Sequence, residues 1–104
     1  MKNMDNAVLK VDEKGHGGFY IKEGEHETGE MIVHIAPSVI TVYHTEVSPE
    51  AEGKGLAKKL LNAMVNYARE HHLKVIPLCA YVHAQFKRHP QEFEDIWRKV
   101  GDKD

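Results

Sequence analysis

Val47-Ser48-Pro49-Glu50-Ala51-Glu52-Gly53-Lys54-Gly55-Leu56-Ala57-Lys58-Lys59-Leu60-Leu61 is the stretch that decides the fold. It reads as a strand end, a glycine turn and the start of a long amphipathic helix. Gly53 and Gly55 bracket Lys54, so little side-chain bulk stands between backbone and ligand. The first turn of a helix carries free N–H donors and partial positive charge, which suit an anion, a phosphate above all. The turn is not a nucleotide P-loop, because no Gly-Lys-Ser/Thr follows at the required spacing. Nor is it a dinucleotide fingerprint, whose third glycine position is Lys58 here.

Downstream, Leu56, Leu60, Met64 and Ala68 step by four, with Ala57, Leu61 and Val65 as the adjacent ridge. Together they make a wide apolar helix face. Lys58, Lys59, Asn62, Asn66, Arg69 and Glu70 take the polar side, and His71-His72 closes the helix. Upstream, Val39 to Val47 is the clearest strand, rich in β-branched residues. Alternation predicts Ile40, Val42, His44 and Glu46 on one side, with Val39, Thr41, Tyr43, Thr45 and Val47 on the other. Lys74 to Leu78 supplies the next strand. A strand, a helix and a strand make a βαβ unit with parallel strands and a right-handed crossover. Ligands of such units bind beyond the carboxyl ends of the strands, where Gly53 and Cys79 both lie. Pro77 has no N–H to give the ladder, which predicts either an edge strand or two strands that splay apart. A splay leaves a slot in which an extended, amide-bearing ligand lies like an added strand.

Toward the N-terminus, Ala7–Val11, Gly18–Lys22 and Met31–Ile35 read as strands. Gly15–Gly18, Gly24–Gly29 and Pro37-Ser38 are the turns between elements. Met1 to Asn6 is expected to fray. Toward the C-terminus, Ala80 to Arg88 is a short helix, and Pro90 starts a last one with Phe93, Ile96, Trp97 and Val100 on one face and Gly101 as its stop. The predicted class is a compact, mixed α+β fold: an antiparallel meander leading into a βαβ unit with splayed parallel strands, then short C-terminal helices. Residues 1–104 are expected to be one domain.

Composition narrows the partners. A formal charge of −2 gives no electrostatic case for nucleic acid. No apolar run approaches the length needed to span a bilayer, and no signal peptide is visible. A single cysteine, Cys79, excludes an intramolecular disulfide and fits a cytoplasmic protein. Eight histidines are many for this length, but His34, His44, His83 and His89 match no familiar metal spacing, so no metal is expected.

Four residues are candidates for chemistry. Cys79 stands at the start of a helix, where the dipole and free N–H groups favour thiolate; the alternative is a small buried hydrophobe. Tyr81 is placed to protonate a leaving thiolate, or simply to pack its ring. His44 and Glu46 sit together near the end of the strand, as acid–base candidates or as solvated groups.

These motifs resemble a known family. Val47 to Ala57 is similar to the acetyl-coenzyme A pyrophosphate loop of GCN5-related N-acetyltransferases, Q/R-x-x-G-x-G/A, with Gly53 and Gly55 at the glycine positions and Glu50 at the Gln/Arg position. The stretches His44-Thr45-Glu46-Val47, Gly53-Lys54-Gly55-Leu56-Ala57, Lys74-Val75-Ile76-Pro77-Leu78-Cys79-Ala80-Tyr81-Val82 and Arg88-His89-Pro90 resemble the small YjdJ-type members. The resemblance covers about Gly17 to Pro90. It implies a mixed sheet with a V-shaped opening that holds acetyl-coenzyme A, no N-terminal helices over the acceptor site, and Cys79 as the family's thiol near the acetyl group.

The expected function is acetyl transfer from acetyl-coenzyme A to an amine, a small molecule or a protein. The backbone of Gly53, Lys54, Gly55, Leu56, Ala57 and Lys58 holds the pyrophosphate, and the backbone near Val47 polarises the thioester. Glu46 is the base, with His44 second. Cys79 is an acetyl carrier or a pocket wall, and Tyr81 the acid. The rival is an acyl-coenzyme A binding or sensing module without turnover. A reactive-thiol redox role is weaker, because the chain has no resolving cysteine.

Overall fold

A computed structural model describes residues 7–99. Five strands lie in sequence order: β1 Ala7–Val11, β2 His16–Glu23, β3 His26–Ile35, β4 Val39–Val47 and β5 Lys74–Pro77. The first four pair antiparallel, and β4 pairs β5 parallel. Between β4 and β5 run a 3-10 turn, Pro49–Ala51, and helix α1, Leu56–Glu70. Helices α2, Ala80–Arg88, and α3, Pro90–Phe93, follow β5. This is the meander-plus-βαβ architecture that the sequence predicts. The expectations for Met1 to Asn6, Val100 and Gly101 lie outside the described residues.

The core forms where α1 lies on one face of the sheet. Leu56, Leu60, Leu61, Met64, Val65 and Ala68 are buried against Phe19, Ile21, Met31, Val33, Ile40 and Val42. Ala57 is only partly buried, at the margin of that ridge. Truncating a fully buried Leu60 or Met64 to alanine leaves a cavity that costs about 2–5 kcal/mol. The opposite face carries Tyr20, Glu30, Ile32, His34, His44 and Glu46, none of them fully buried.

The strands are longer than the hairpin signals predict. Gly17 and Gly18 belong to β2, because each pairs with both β1 and β3; only Gly15, at φ 86°, stays in the turn. His26–Gly29 belongs to β3, and the second turn shrinks to the residues around Gly24. After Phe93 the expected last helix stops. Trp97 instead makes a parallel bridge to Val75, with Val75 N–H donating to Ile96 O and Arg98 N–H to Val75 O. The open edge of β5 thus wins over helix continuation, since its buried amide needs a partner.

Two devices pin the far end of α1. Leu73 N–H donates to Ala68 O at 2.8 Å and His72 N–H to Arg69 O at 3.3 Å, a Schellman cap with buried Leu73 beyond it. The left-handed residue is His72, φ 57°, where glycine is usual. Arg69 then grips Asp95 through Nε at 3.0 Å and a second nitrogen at 3.1 Å, and also donates to Glu92 O.

His72→Gly is expected to raise stability by about 0.5–1 kcal/mol in urea denaturation, by relieving that conformation. The Arg69 hydrogen bonds hold the Asp95 carboxyl below its ordinary range. A depressed folded-state pKa contributes stability above the unfolded value of about 3.9, and that stability is lost as pH falls through the folded value. Asp95 is 55% exposed, so solvent screening limits the effect to about 1 kcal/mol or less. Asp95→Asn should therefore lower Tm slightly at pH 7 and not at pH 2.

Candidate active site

The site begins where β4 and β5 part. Their register runs Val39↔Lys74, Ile40↔Val75, Thr41↔Ile76 and Val42↔Pro77, then stops. Cys79 N–H donates to Val42 O at 2.9 Å, and that bond closes the ladder. Beyond it Tyr43 to Val47 has no partner on this side. Tyr43, 46% exposed, and Leu78, 54% exposed, flank the opening.

Backbone alternation fixes which groups face the slot. Ser48 N–H donates toward β3, to Thr28 O at 2.9 Å. The amides of Val47 and Thr45 therefore turn the other way, into the opening. They offer an extended ligand the hydrogen bonds that a missing strand would have made.

The faces of β4 differ from simple alternation. Ile32 pairs His44 while Val33 pairs Val42, so Tyr43 is an extra residue, a β-bulge. The bulge reverses the parity of everything after it. Thr45 and Val47 join the core face of Ile40 and Val42; His44 and Glu46 fall on the open face. The prediction that Ile40, Val42, His44 and Glu46 share one side is thus wrong across the bulge, although His44 and Glu46 do stay together.

On the helix side, Cys79 precedes α2 as its N-cap residue and is only 4% exposed. Its Sγ lies 3.3 Å from Thr45 Oγ1, spanning the two parted strands. Tyr81 is partly buried against the core, and burial, then the neighbouring Cys79, push its phenol above the ordinary value of 10. The phenol therefore keeps its proton through the neutral range.

On the open face, His44 Nε2 lies 3.4 Å from Glu30 Oε2. One ligand atom each from Glu30, His44 and Glu46 falls within a 4.8 Å span. Sequence reading missed Glu30 and Thr45. Glu30 is placed by the extra length of β3, and Thr45 by the bulge; alternation alone carries no signal of either.

The glycine turn sits beyond the carboxyl end of β4. Gly53, φ 90°, and Gly55, φ 75°, are left-handed, and nothing lies within 4 Å of where a Cβ would stand on either. The glycines are needed for backbone conformation, and the space above them is open. No side chain caps α1, whose first intrahelical bond is Lys59 N–H to Gly55 O. The N–H groups of Leu56, Ala57 and Lys58 therefore end the helix without helical acceptors. Lys54 Nζ reaches Glu23 Oε1 at 3.3 Å, an exposed pair that a phosphate can displace. Glu50 and Glu52 are exposed at the turn's approach.

An unzipped strand end and an uncapped helix N-terminus together offer two sets of unpaired backbone donors. The sequence model described as GCN5-related N-acetyl-transferase matches residues 18–96. The chain belongs to this family. The solution structure of a GCN5-like protein from Staphylococcus aureus is 31% identical, with 92% of each chain covered and a TM-score of 0.64. The ribosomal-protein-alanine N-acetyltransferase of Brucella melitensis is 18% identical, over 88% of this chain and 69% of that one, with a TM-score of 0.59. The ribosomal-protein-S18-alanine N-acetyltransferase of Escherichia coli is 15% identical over 62% of this chain, TM-score 0.56, and this chain spans only 42% of its length. These last two share the fold. Comparison with curated proteins finds none that matches. No helix among the described residues is long and apolar enough to cross a membrane.

Gly55→Ala forces a β-carbon into a left-handed residue and is expected to cost about 1–2 kcal/mol in thermal or urea unfolding. Since the space above is open, a smaller loss than for a buried clash would be seen, and no loss at all would contradict the left-handed assignment.

Proposed function

We propose that residues 1–104 form one acetyltransferase domain that moves the acetyl group of acetyl-coenzyme A to an amine. The observation that carries this reading is the juxtaposition of the slot beside Thr45 and Val47 with the uncapped N-terminus of α1. The pyrophosphate lies on the N–H groups of Gly53 to Lys58, with Lys54 released from Glu23 to meet it. The pantetheine arm lies along β4, and the Val47 N–H donates to the thioester oxygen.

Chemistry then needs a neutral amine and two proton movements. The amine nitrogen attacks the thioester carbon from the open face, and Glu46 takes its proton, directly or through water. The oxyanion collapses, the C–S bond breaks, and Tyr81 on the helix side protonates the departing thiolate. Cys79 acts as a wall of the acetyl pocket: its burial and its contact with Thr45 favour packing over attack. His44, held by Glu30, is the second base. Positioning supplies much of the acceleration, because an amine is already a competent nucleophile. A cytoplasmic location is part of the same reading, supported by the single unpaired thiol.

The exposed face of His44 and Glu46, with the exposed acids Glu50 and Glu52 at the turn, supports the rival, a domain that binds acyl-coenzyme A without turnover. Calorimetry and a thiol-release assay separate the two. Saturable acetyl-coenzyme A binding is expected, with Glu46→Gln lowering kcat about 100-fold while binding is unchanged. Binding without release of coenzyme A in the presence of mixed amines establishes the rival; no binding at millimolar ligand removes both.

A further inference from the structure

His16 opens β2 and His34 stands near the end of β3, at the far end of the sheet from the glycine turn. The register sets the two directly opposite each other. Ile35 N–H donates to Gly15 O at 2.8 Å, so His16 and His34 form a non-hydrogen-bonded pair. In an antiparallel sheet that is the pair whose side chains come closest. Their ring centroids lie 4.5 Å apart, with the planes 32° from parallel.

His34 is also fixed from behind. Its Nε2 lies 3.0 Å from Lys14 O. A carbonyl only accepts, so Nε2 carries the proton, and in the neutral ring Nδ1 keeps a lone pair. An imidazole with one N–H tied to a backbone carbonyl and its other nitrogen left as a base has the arrangement of a metal-ligating histidine. Asp12 holds the turn that supplies this carbonyl: its Oδ1 accepts from Lys14 N–H at 2.9 Å and from His16 N–H at 3.0 Å. The His16 N–H first, then that of Lys14, keeps the Asp12 carboxyl below its ordinary range, so a negative charge stands beside the pair. His16 is exposed, and its ring can turn about the Cβ–Cγ bond.

We propose that His16 and His34 chelate a divalent ion of the zinc, nickel or copper class, His34 through Nδ1, with water completing the coordination. Imidazole suits these ions, whereas Mg²⁺ and Ca²⁺ take oxygen ligands. Each nitrogen must stand about 2.1 Å from the ion. Opposed β-carbons about 4.5–5.5 Å apart let two imidazoles converge on one point once His16 turns. A bound ion then ties the start of β2 to the end of β3. Spacing along the chain carries no sign of this pair, which exists only through the register of the two strands. Glu30, His44 and Glu46 are a separate set of donors on the same face, nearer the slot.

Titration of the ¹⁵N-labelled chain with ZnCl₂ or NiCl₂, without coenzyme, reads the site. Zn²⁺ is expected to give saturable shifts at the amides of His16 and His34. Ni²⁺ should broaden the same signals first, and Mg²⁺ should leave them unmoved. His16→Gln and His34→Gln, made singly, should each weaken Zn²⁺ binding about tenfold or more, since even the outer partner of a metal ligand is worth about 10–100-fold. If His34→Gln does not fold, His16→Gln, at an exposed position, carries the same direction of change. Long-range ¹⁵N–¹H spectra of the imidazoles should show His34 with Nε2 protonated and Nδ1 on the metal. No saturation at millimolar Zn²⁺ overturns the proposal, as does an equal response to Mg²⁺. Shifts centred on His44 with His16 and His34 still, an affinity unchanged by the substitutions, or an ion on His34 Nε2 also overturn it.

Discussion

The separation of β4 from β5 after Val42 and Pro77 is the constraint on which the rest of the site depends. Lys74 N–H faces β4 and Val75 N–H faces Ile96, so Pro77 falls on the outer side; the Leu78 N–H, next in line toward β4, turns back to Ile76 O instead, and the regular ladder ends. The chain uses the next available donor, Cys79 N–H, to satisfy Val42 O and then turns into α2. The parted ends leave the Thr45 and Val47 amides facing a gap. Without that gap the N-terminus of α1 is an anion site like many others. With it, the same terminus is joined by strand amides left unpaired in the gap.

The bulge at Tyr43 divides the site into two sides. One extra residue sends Thr45 toward Cys79 on the helix side and sends His44 and Glu46 to the open face. Had the strand kept strict alternation, Glu46 would face the core, where an unpaired carboxylate is costly. In the proposed mechanism, proton uptake from an amine and proton delivery to a thiolate then fall on opposite sides of one slot. A second bulge, at Thr28 in β3, buries that threonine, whose hydroxyl donates to Ile21 O. Irregular pairing, not regular sheet, aims the functional side chains.

Much of this was legible in the residues. Val39–Val47, the apolar stripe from Leu56 to Ala68 and the bare turn at Gly53 and Gly55 each state a local preference that the fold keeps. Pro77 marks the place where β5 ends, although its missing donor falls on the outer edge with Val75 and is not what parts the strands. Bulges were not legible, since Tyr43 and Thr28 are ordinary strand residues whose displacement depends on the partner strand. Glu30 escaped notice for the same reason: its meaning comes from standing opposite Glu46. The Trp97 bridge reflects competition for an exposed β5 edge, which the helical spacing of Phe93, Ile96 and Trp97 does not reveal.

The central claim is that the slot and the helix end act as one binding surface. A titration of the ¹⁵N-labelled protein with coenzyme A, followed by amide chemical shifts, addresses it most directly. The account predicts saturable shifts concentrated in Thr45, Val47 and Gly53 to Lys58, moving together at one affinity. Shifts confined to the glycine turn, with Thr45 and Val47 still, would contradict it, because the phosphate end would then bind without the arm entering the gap.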